Sequence, residues 1–225
     1  MITSSLWQTN AVALRSDAEA VLIDSPYFPD ELEMLPEMLR QSGFDPVGLL
    51  ATHGDWDHLL GRLAYPEAPL GVAESTATRI RTEPGVAQKE LRDADNEYYA
   101  RRERPLSLGS YQVLPVPGKL ELSSDEFELY PAEGHTDDGM ILFARWCGVL
   151  VCGDYLSDVE LPTWTDKALY ISTLERLRGL VADAGVVVPG HGSPLTSEAA
   201  MRILEEDVAY LDAGTVPKGR FPPSD

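Results

Sequence analysis

The first quarter of the chain alternates short apolar runs with polar turns. Apolar residues at 10–14 and 20–23, separated by polar residues at 16–19, predict a β-hairpin. A helix follows, opening at Pro29 and ending at Gly43, because leucines recur along it at intervals of three and four residues. This part of the chain therefore predicts paired strands followed by one amphipathic helix.

The middle of the chain continues the alternation. An apolar run at 47–51 predicts a strand, which is followed by a helix over about 57–63 and a short strand at 70–73. Further apolar runs predict strands at 111–114, 120–122, 127–130, 140–143 and 149–152.

The last part of the chain is mainly helical. Helical spacing begins at Tyr170 and ends near Gly185, and the buried strand 186–188 follows. Thr196 or Ser197 then caps a final helix.

This order of elements predicts the fold class. Strands and a helix, followed by more strands and a helix, are typical of an α/β protein with two sheets packed face to face and helices outside. With 225 residues, 44% of them hydrophobic, the chain can bury a full core, and we expect one domain over 1–213. The tail 214–225 is rich in Pro and Gly, so we expect it to be loosely ordered.

The charge of the chain narrows the range of partners. It has 37 acidic and 18 basic residues, for a formal net charge of −19. This charge repels phosphate backbones and anionic bilayers, so we expect no nucleic-acid or membrane partner. The partner that we expect is a small-molecule substrate. No apolar run approaches the roughly 18 residues of a membrane span, and no signal segment is visible, which favours a cytoplasmic protein.

All four histidines lie in short Gly- or Asp-rich segments after apolar runs. These segments are 52–58, 133–136 and 189–192, and a Gly-Asp pair at 153–154 ends another apolar run. Imidazole and carboxylate together suit Zn, Mn or Fe, so we predict a shared metal site. The candidate ligands are His53, Asp55, Asp57, His58, His135, Asp154 and His191.

These motifs, taken in order, resemble those of the metallo-β-lactamase superfamily. They are Thr-His-x-Asp-x-Asp-His at 52–58, Gly-His-Thr at 134–136, Cys-Gly-Asp at 152–154 and Pro-Gly-His-Gly at 189–192, and the resemblance extends from Trp7 to about Leu195. It implies a four-layer αββα sandwich with the ligands on loops at one edge of the sheets. It also implies a first metal site of His53, Asp55 and His135 and a second of Asp57, His58 and His191, with Asp154 bridging them.

Residue 55 departs from the family pattern, which usually has His at this position. Asp55 can still bind a metal, but it adds negative charge and is a harder ligand. The metal preference of the first site is therefore shifted toward Mn or Fe relative to that of an all-His site. We expect two divalent metal ions as cofactors, with zinc first and manganese or iron as alternatives.

The resemblance to glyoxalase II-like members implies a hydrolase in which a bridging hydroxide attacks a small ester, thioester or lactone. Asp57 is the candidate catalytic residue, because it can orient the attack and relay a proton to the leaving group. One alternative is an iron-dependent oxidoreductase of the persulfide dioxygenase type, which Asp55 leaves open and the complete second site opposes. Another is a non-catalytic metal-binding member.

Two segments are candidates for substrate contact. Tyr155, Glu160 and Trp164 lie in an irregular loop directly after Asp154, where they either line a pocket or simply pack. The charged segment between residues 84 and 105 has helical spacing and predicts a surface helix packed on the core. Its alternative role is a lid over the metal site, in which Tyr98 contacts the substrate.

Overall fold

The structure is a computed structural model that describes residues 1–222. A mixed sheet forms its first half, in which the strands are hydrogen-bonded in the order of the sequence. β2 and β3 form the predicted hairpin, with Val12 opposite Ile23, and β3 to β6 run parallel to one another. The strands are β1 (Ile2–Thr3), β2 (Asn10–Ser16), β3 (Glu19–Ile23), β4 (Pro46–Leu50), β5 (Leu70–Ala73) and β6 (Tyr111–Leu114).

A second sheet forms the other half, in the order β11-β10-β9-β8-β7. Its strands are antiparallel except β10 and β11, which run parallel. The strands are β7 (Gly118–Leu122), β8 (Asp125–Pro131), β9 (Met140–Ala144), β10 (Val149–Val151) and β11 (Val186–Val188). The parallel pair brings the residues that follow β10 and β11 to the same edge of the sheet.

Helices cover the outer face of each sheet. Leu32, Leu35 and Leu39 form the buried stripe of α1, as their spacing predicts. α5 begins at the N-cap Asp166 and α6 at the N-cap Thr196, whose side chains accept hydrogen bonds from the first backbone N–H groups. The helices are α1 (Pro29–Gln41), α2 (Gly61–Ala64), α3 (Glu74–Thr82), α4 (Val86–Glu97), α5 (Lys167–Asp183) and α6 (Ser197–Ala213).

The core is arranged in three apolar layers. Between the sheets, Ile23 and Leu50 of the first sheet meet Phe127 and Leu142 of the second. α1 and α4 pack on the outside of the first sheet, and α5 and α6 pack on the outside of the second. The fold is the predicted four-layer αββα sandwich.

The structure differs from the sequence-based expectations in two places, both in the helices. The helix expected at 57–63 is split into a 3₁₀ turn, Trp56–His58, and α2, because Asp57 and His58 must turn inward. The helix α3 is present although no pattern predicted it.

The tail, for which the sequence predicts loose order, contacts the rest of the chain at two residues. Arg220 is buried and forms an ion pair with Asp207 at 2.5 Å, and Phe221 exchanges backbone hydrogen bonds with Val159 and Leu161. Residues 223–225 lie outside the described residues. Within 1–222, no helix has both the length and the apolar character needed to cross a membrane.

Candidate metal centre

The first candidate ligands lie on the loop after β4. Thr52 fixes the start of this loop, since its backbone N–H and its hydroxyl each donate to the carboxylate of Asp24 at 2.8 Å. Asp24 also lies 3.0 Å from Nδ1 of His58, and the Thr52 hydroxyl lies 3.1 Å from Nδ1 of His53. Both imidazoles are thereby oriented with Nε2 toward the site. The sequence patterns do not single out Asp24, although it stands directly after the buried strand β3.

His135 is carried by the loop between β8 and β9. Its backbone N–H donates to the hydroxyl of Tyr155 at 3.1 Å, and that hydroxyl donates to the carbonyl of Glu133 at 2.8 Å. Gly134 has a φ of +118°, and a Cβ there would lie 2.1 Å from the backbone nitrogen of Tyr170, so only glycine fits. The close packing of this loop against α5 therefore requires the glycine that precedes His135.

Asp154 and His191 follow the parallel strands β10 and β11. Gly190 lets the two loops approach, since a Cβ there would lie 2.1 Å from Oδ1 of Asp154. Nδ1 of His191 lies 3.1 Å from the carbonyl oxygen of Trp7, which orients its Nε2 toward Asp154.

The seven candidate ligands meet in two adjacent groups. In the first ligand set (His53, Asp55 and His135), Oδ2 of Asp55 lies 3.4 and 3.6 Å from the two Nε2 atoms. In the second ligand set (Asp57, His58 and His191), Oδ2 of Asp57 lies 3.5 and 3.3 Å from the Nε2 atoms. The ligand atoms within each set all lie within 4.8 Å of one another.

Asp154 lies between the two sets. Its Oδ2 is 3.3 Å from Nε2 of His135 in the first set and 3.4 Å from Nε2 of His191 in the second, and its Oδ1 is 3.1 Å from Nε2 of His58. One carboxylate is therefore placed to contact two cations at once.

The ligand atoms fit the divalent metals that the resemblance of the motifs implies. Nε2 of His53, His58 and His135 and Oδ1 of Asp154 are buried, and none has a hydrogen-bond partner among residues 1–222. Unpaired buried polar atoms are costly and rare unless a ligand satisfies them. Imidazole nitrogens and carboxylate oxygens are the donors that zinc, manganese and iron accept.

The carboxylates of the centre also raise the pKa of the histidines beside them, which favours positive charge at this place. Burial lowers the pKa of His135, but the carboxylates of Asp154 and Asp55 outweigh it and raise the pKa to about 10. The pKa of His191 is likewise raised well above its ordinary value, because Asp154 and Asp57 outweigh its burial. Protons thus balance the carboxylates in the apoprotein, and metal binding must release them.

A cavity of about 220 Å³ opens beside the metal centre. Its lining includes Asp55, Asp57, His135, Asp154 and His191 from the two ligand sets and their bridge. The remaining wall includes Trp7, Trp56, Leu161, Glu160 and Arg220. The irregular loop after Asp154 thus lines the cavity through Glu160, and the two tryptophans are wall residues that no sequence pattern indicated.

Of the four candidates for substrate contact, Tyr155, Trp164 and Tyr98 are not part of the cavity wall, as far as the described residues define it. Tyr155 is buried and supports the His135 loop. Trp164 is partly exposed and lies against Tyr210. Tyr98 packs edge-on against Trp7 at 5.6 Å, behind the wall.

The segment 84–105 forms α4 and its extension, which pack on the core. Leu91 and Ala94 of α4 are buried among the apolar side chains outside the first sheet. Arg102 pairs with Asp95 at 2.8 Å and donates to the carbonyl of Tyr27. These contacts are those expected of a packed surface helix.

Comparison with known proteins identifies the family. The model of the metallo-β-lactamase superfamily matches residues 5–191, which is most of the chain. This chain therefore belongs to the metallo-β-lactamase superfamily, as its motifs suggest.

Several solved structures share the fold of this chain. A metallo-β-lactamase family protein from Thermus thermophilus has a TM-score of 0.68 and 21% identity, over 91% of this chain and 75% of that one. A metallo-β-lactamase from Pontibacter korlensis has a TM-score of 0.65 and 20% identity, over 88% and 86% of the two chains. TTHA1623, in a di-iron-bound form, has a TM-score of 0.64 and 23% identity, over 90% and 96%. At these identities the likeness shows the fold alone.

Proposed function

We propose that the protein is a binuclear metal-dependent hydrolase that cleaves a small ester, thioester or lactone. The observation that carries this proposal is the pair of ligand sets joined by Asp154 at the wall of a cavity. When bound, two divalent cations lower the pKa of a shared water and polarise the carbonyl oxygen of a substrate. Zinc is the proposed metal, with manganese and iron as alternatives.

Asp57 is the proposed catalytic residue. Its carboxylate lies in the second ligand set and also lines the cavity, so it can contact both a bound water and the substrate. Burial raises the pKa of Asp57, but the neighbouring His58 and His191 lower it by more. The pKa of Asp57 therefore lies below its ordinary value. The carboxylate is therefore ionised at neutral pH, can accept a proton from the attacking water and can pass it to the leaving group.

The cavity supports a small substrate. Its volume of about 220 Å³ is below the roughly 300–1,000 Å³ typical of sites for drug-sized ligands. Trp7 and Trp56, whose rings are 5.6 Å apart, give it an apolar wall on one side. We assign the recognition of a polar substrate group to Glu160, which lines the cavity beside the ligand sets.

One observation favours a second candidate. Asp55 places a carboxylate in the first ligand set, which suits iron, and a similar protein has been solved in a di-iron-bound form. An iron-dependent oxidoreductase of the persulfide dioxygenase type is therefore the alternative. A complete second ligand set favours the hydrolase. We further propose that the protein acts in the cytoplasm on a small molecule, as its composition suggests.

The test is a substrate panel offered to the metal-loaded protein, containing thioesters, lactones, simple esters, phosphodiesters and β-lactams. We expect turnover of an ester, thioester or lactone that a chelator abolishes and added zinc restores. Asp57→Asn should remove this turnover, whereas Asp45→Asn should leave it intact, because Asp45 is exposed and lies just before β4, at the end of the strand opposite the ligand loop. Turnover that resists the chelator, or no turnover on any compound, would contradict the proposal. One bound iron per chain with oxygen uptake would support the alternative.

A further inference from the structure

The carboxylate of Asp55 divides its two oxygens between different partners. Oδ2 faces the imidazoles of the first ligand set, at 3.4 Å from Nε2 of His53 and 3.6 Å from Nε2 of His135. Oδ1 instead forms an ion pair with Nη1 of Arg79 at 2.7 Å. Only one oxygen is thus directed to the position of a metal ion.

Arg79 is itself held in place. The same Nη1 atom lies 2.8 Å from Oδ1 of Asp138, a residue whose side chain is only 1% exposed. The other oxygen of Asp138 accepts the backbone N–H of Gly54 at 2.8 Å, directly beside Asp55. A Cβ on Gly54 would lie 3.1 Å from this oxygen, so the glycine allows the close approach. Asp138 therefore connects Arg79, on α3, to the loop that carries Asp55.

We infer that Arg79, seated by Asp138, is a positioning residue that restricts Asp55 to binding the first metal ion through a single oxygen. A free carboxylate can bind a metal through both oxygens, which raises the coordination number and suits manganese. A carboxylate whose second oxygen is occupied offers one donor, as a histidine does, and four-coordinate zinc accepts such a donor. The arrangement lets an aspartate serve where the superfamily usually has histidine, without losing a zinc-compatible site.

The inference rests on the proposed metal centre but not on the proposed reaction, so metal binding alone can test it. Zinc alone and manganese alone are titrated into the metal-free full chain, with calorimetry resolving the binding steps. Arg79→Met should weaken one zinc-binding step about 10- to 100-fold, the usual cost of losing a group that orients a metal ligand. Manganese affinity should fall less, so the preference for zinc should decrease. Arg81→Met, which removes an exposed arginine from the same helix, is the matched control and should change neither affinity.

Repeating the Arg79→Met substitution in a chain that already carries Asp55→His shows whether Arg79 positions Asp55 or only supports the fold. In Asp55→His there is no carboxylate for Arg79 to hold, so adding Arg79→Met should change zinc affinity at most about twofold, the scatter between uncoupled sites. A large and equal loss in both backgrounds would show that Arg79 only supports the fold and would overturn the inference. Tighter zinc binding by Arg79→Met would also overturn it, since repulsion between the guanidinium and the cation would then dominate.

Asp138→Asn gives an independent route if Arg79→Met folds poorly. This variant keeps the shape of the side chain but removes the charge that holds Arg79. We therefore expect the affinity of the same zinc-binding step to fall, by less than in Arg79→Met. Unchanged zinc binding by this variant would count against the inference. Absence of zinc binding by the unaltered chain would overturn both the inference and the metal centre, whereas absence of hydrolysis with normal zinc binding would affect only the proposed reaction.

Discussion

Gly190→Ala tests the position of Asp154 with a single methyl group. The Cβ of alanine would lie 2.1 Å from Oδ1 of Asp154 and 2.9 Å from Cε1 of His58. Real Cβ atoms keep at least 3.0 Å from such neighbours, so the carboxylate must move away by nearly an ångström. The backbone of Gly190 does not have a positive φ, so alanine adds no conformational strain, and the effect arises from the lost space.

The expected loss of activity follows from how little displacement of its ligands a metal centre tolerates. Functional groups must be held within about 0.5 Å of their productive positions, and a misplacement of 1 Å costs roughly 100-fold in rate. We therefore expect kcat/KM to fall about 100-fold, which corresponds to about 2.7 kcal/mol. Because Asp154 contacts both ligand sets, both zinc-binding steps should also weaken.

The assay combines zinc titration with hydrolysis of the best substrate from the panel. Gly179→Ala is the matched control, since Gly179 lies in α5 with nothing within 4 Å of an added Cβ. That variant should bind zinc normally and be more stable by about 0.5–1 kcal/mol, because alanine is the better helix former. If Gly190→Ala binds two zinc ions as tightly as the unaltered chain, Asp154 does not bridge the sites.

Three further predictions concern stability, each measured by chemical denaturation. Burial, partly offset by Arg220, raises the pKa of Asp207 to about 7, whereas its unfolded value is about 3.9. Between these two values the folded state binds a proton that the unfolded state has lost. The stability that Asp207 contributes is therefore full below about pH 4 and is lost as the pH rises through about 7. Asp207→Asn should remove this pH dependence. Leu174→Ala, at a fully buried position, should cost about 2–5 kcal/mol, while Leu169→Ala, on the exposed face of the same helix, should cost far less. Thr196→Ala should cost about 1 kcal/mol through loss of the N-cap of α6.

Each of these predictions has an outcome that contradicts it. The same pH dependence in Asp207→Asn as in the unaltered chain would show that this carboxyl does not titrate as described. Similar losses for the two leucine variants would contradict the packing of α5, and no loss in Thr196→Ala would contradict the cap.

The strands and the candidate ligands could be predicted because their signals are local. The strands β9, β10 and β11 are apolar runs, and each ligand stands shortly after a strand, as Asp154 follows β10 and His191 follows β11. The two sheets then bring these loops to one edge. Chemistry-bearing residues placed at strand ends therefore point to a shared site even when they are far apart in the sequence.

The parts that sequence patterns missed depend on long-range packing. α3 is short and polar, with Thr76 and Ala77 as its buried residues, so it lacks the apolar stripe that predicts a helix. Its Arg79 gains a role only because the fold places it beside Asp55. The wall residues Trp7 and Trp56 likewise become neighbours only when the N-terminal segment and the ligand loop meet.

Arg220, in the tail, shows the same limit of local sequence patterns. A Pro- and Gly-rich composition indicates weak local structure, but it does not show whether a single side chain finds a buried partner. Here Asp207, on the inner face of α6, provides that partner.

Anomalous diffraction at the zinc edge, from crystals of the zinc-loaded protein, tests the central claim most directly. The account predicts two peaks, one among His53, Asp55 and His135 and one among Asp57, His58 and His191, with Asp154 contacting both ions. A single peak, or peaks remote from these residues, would contradict it.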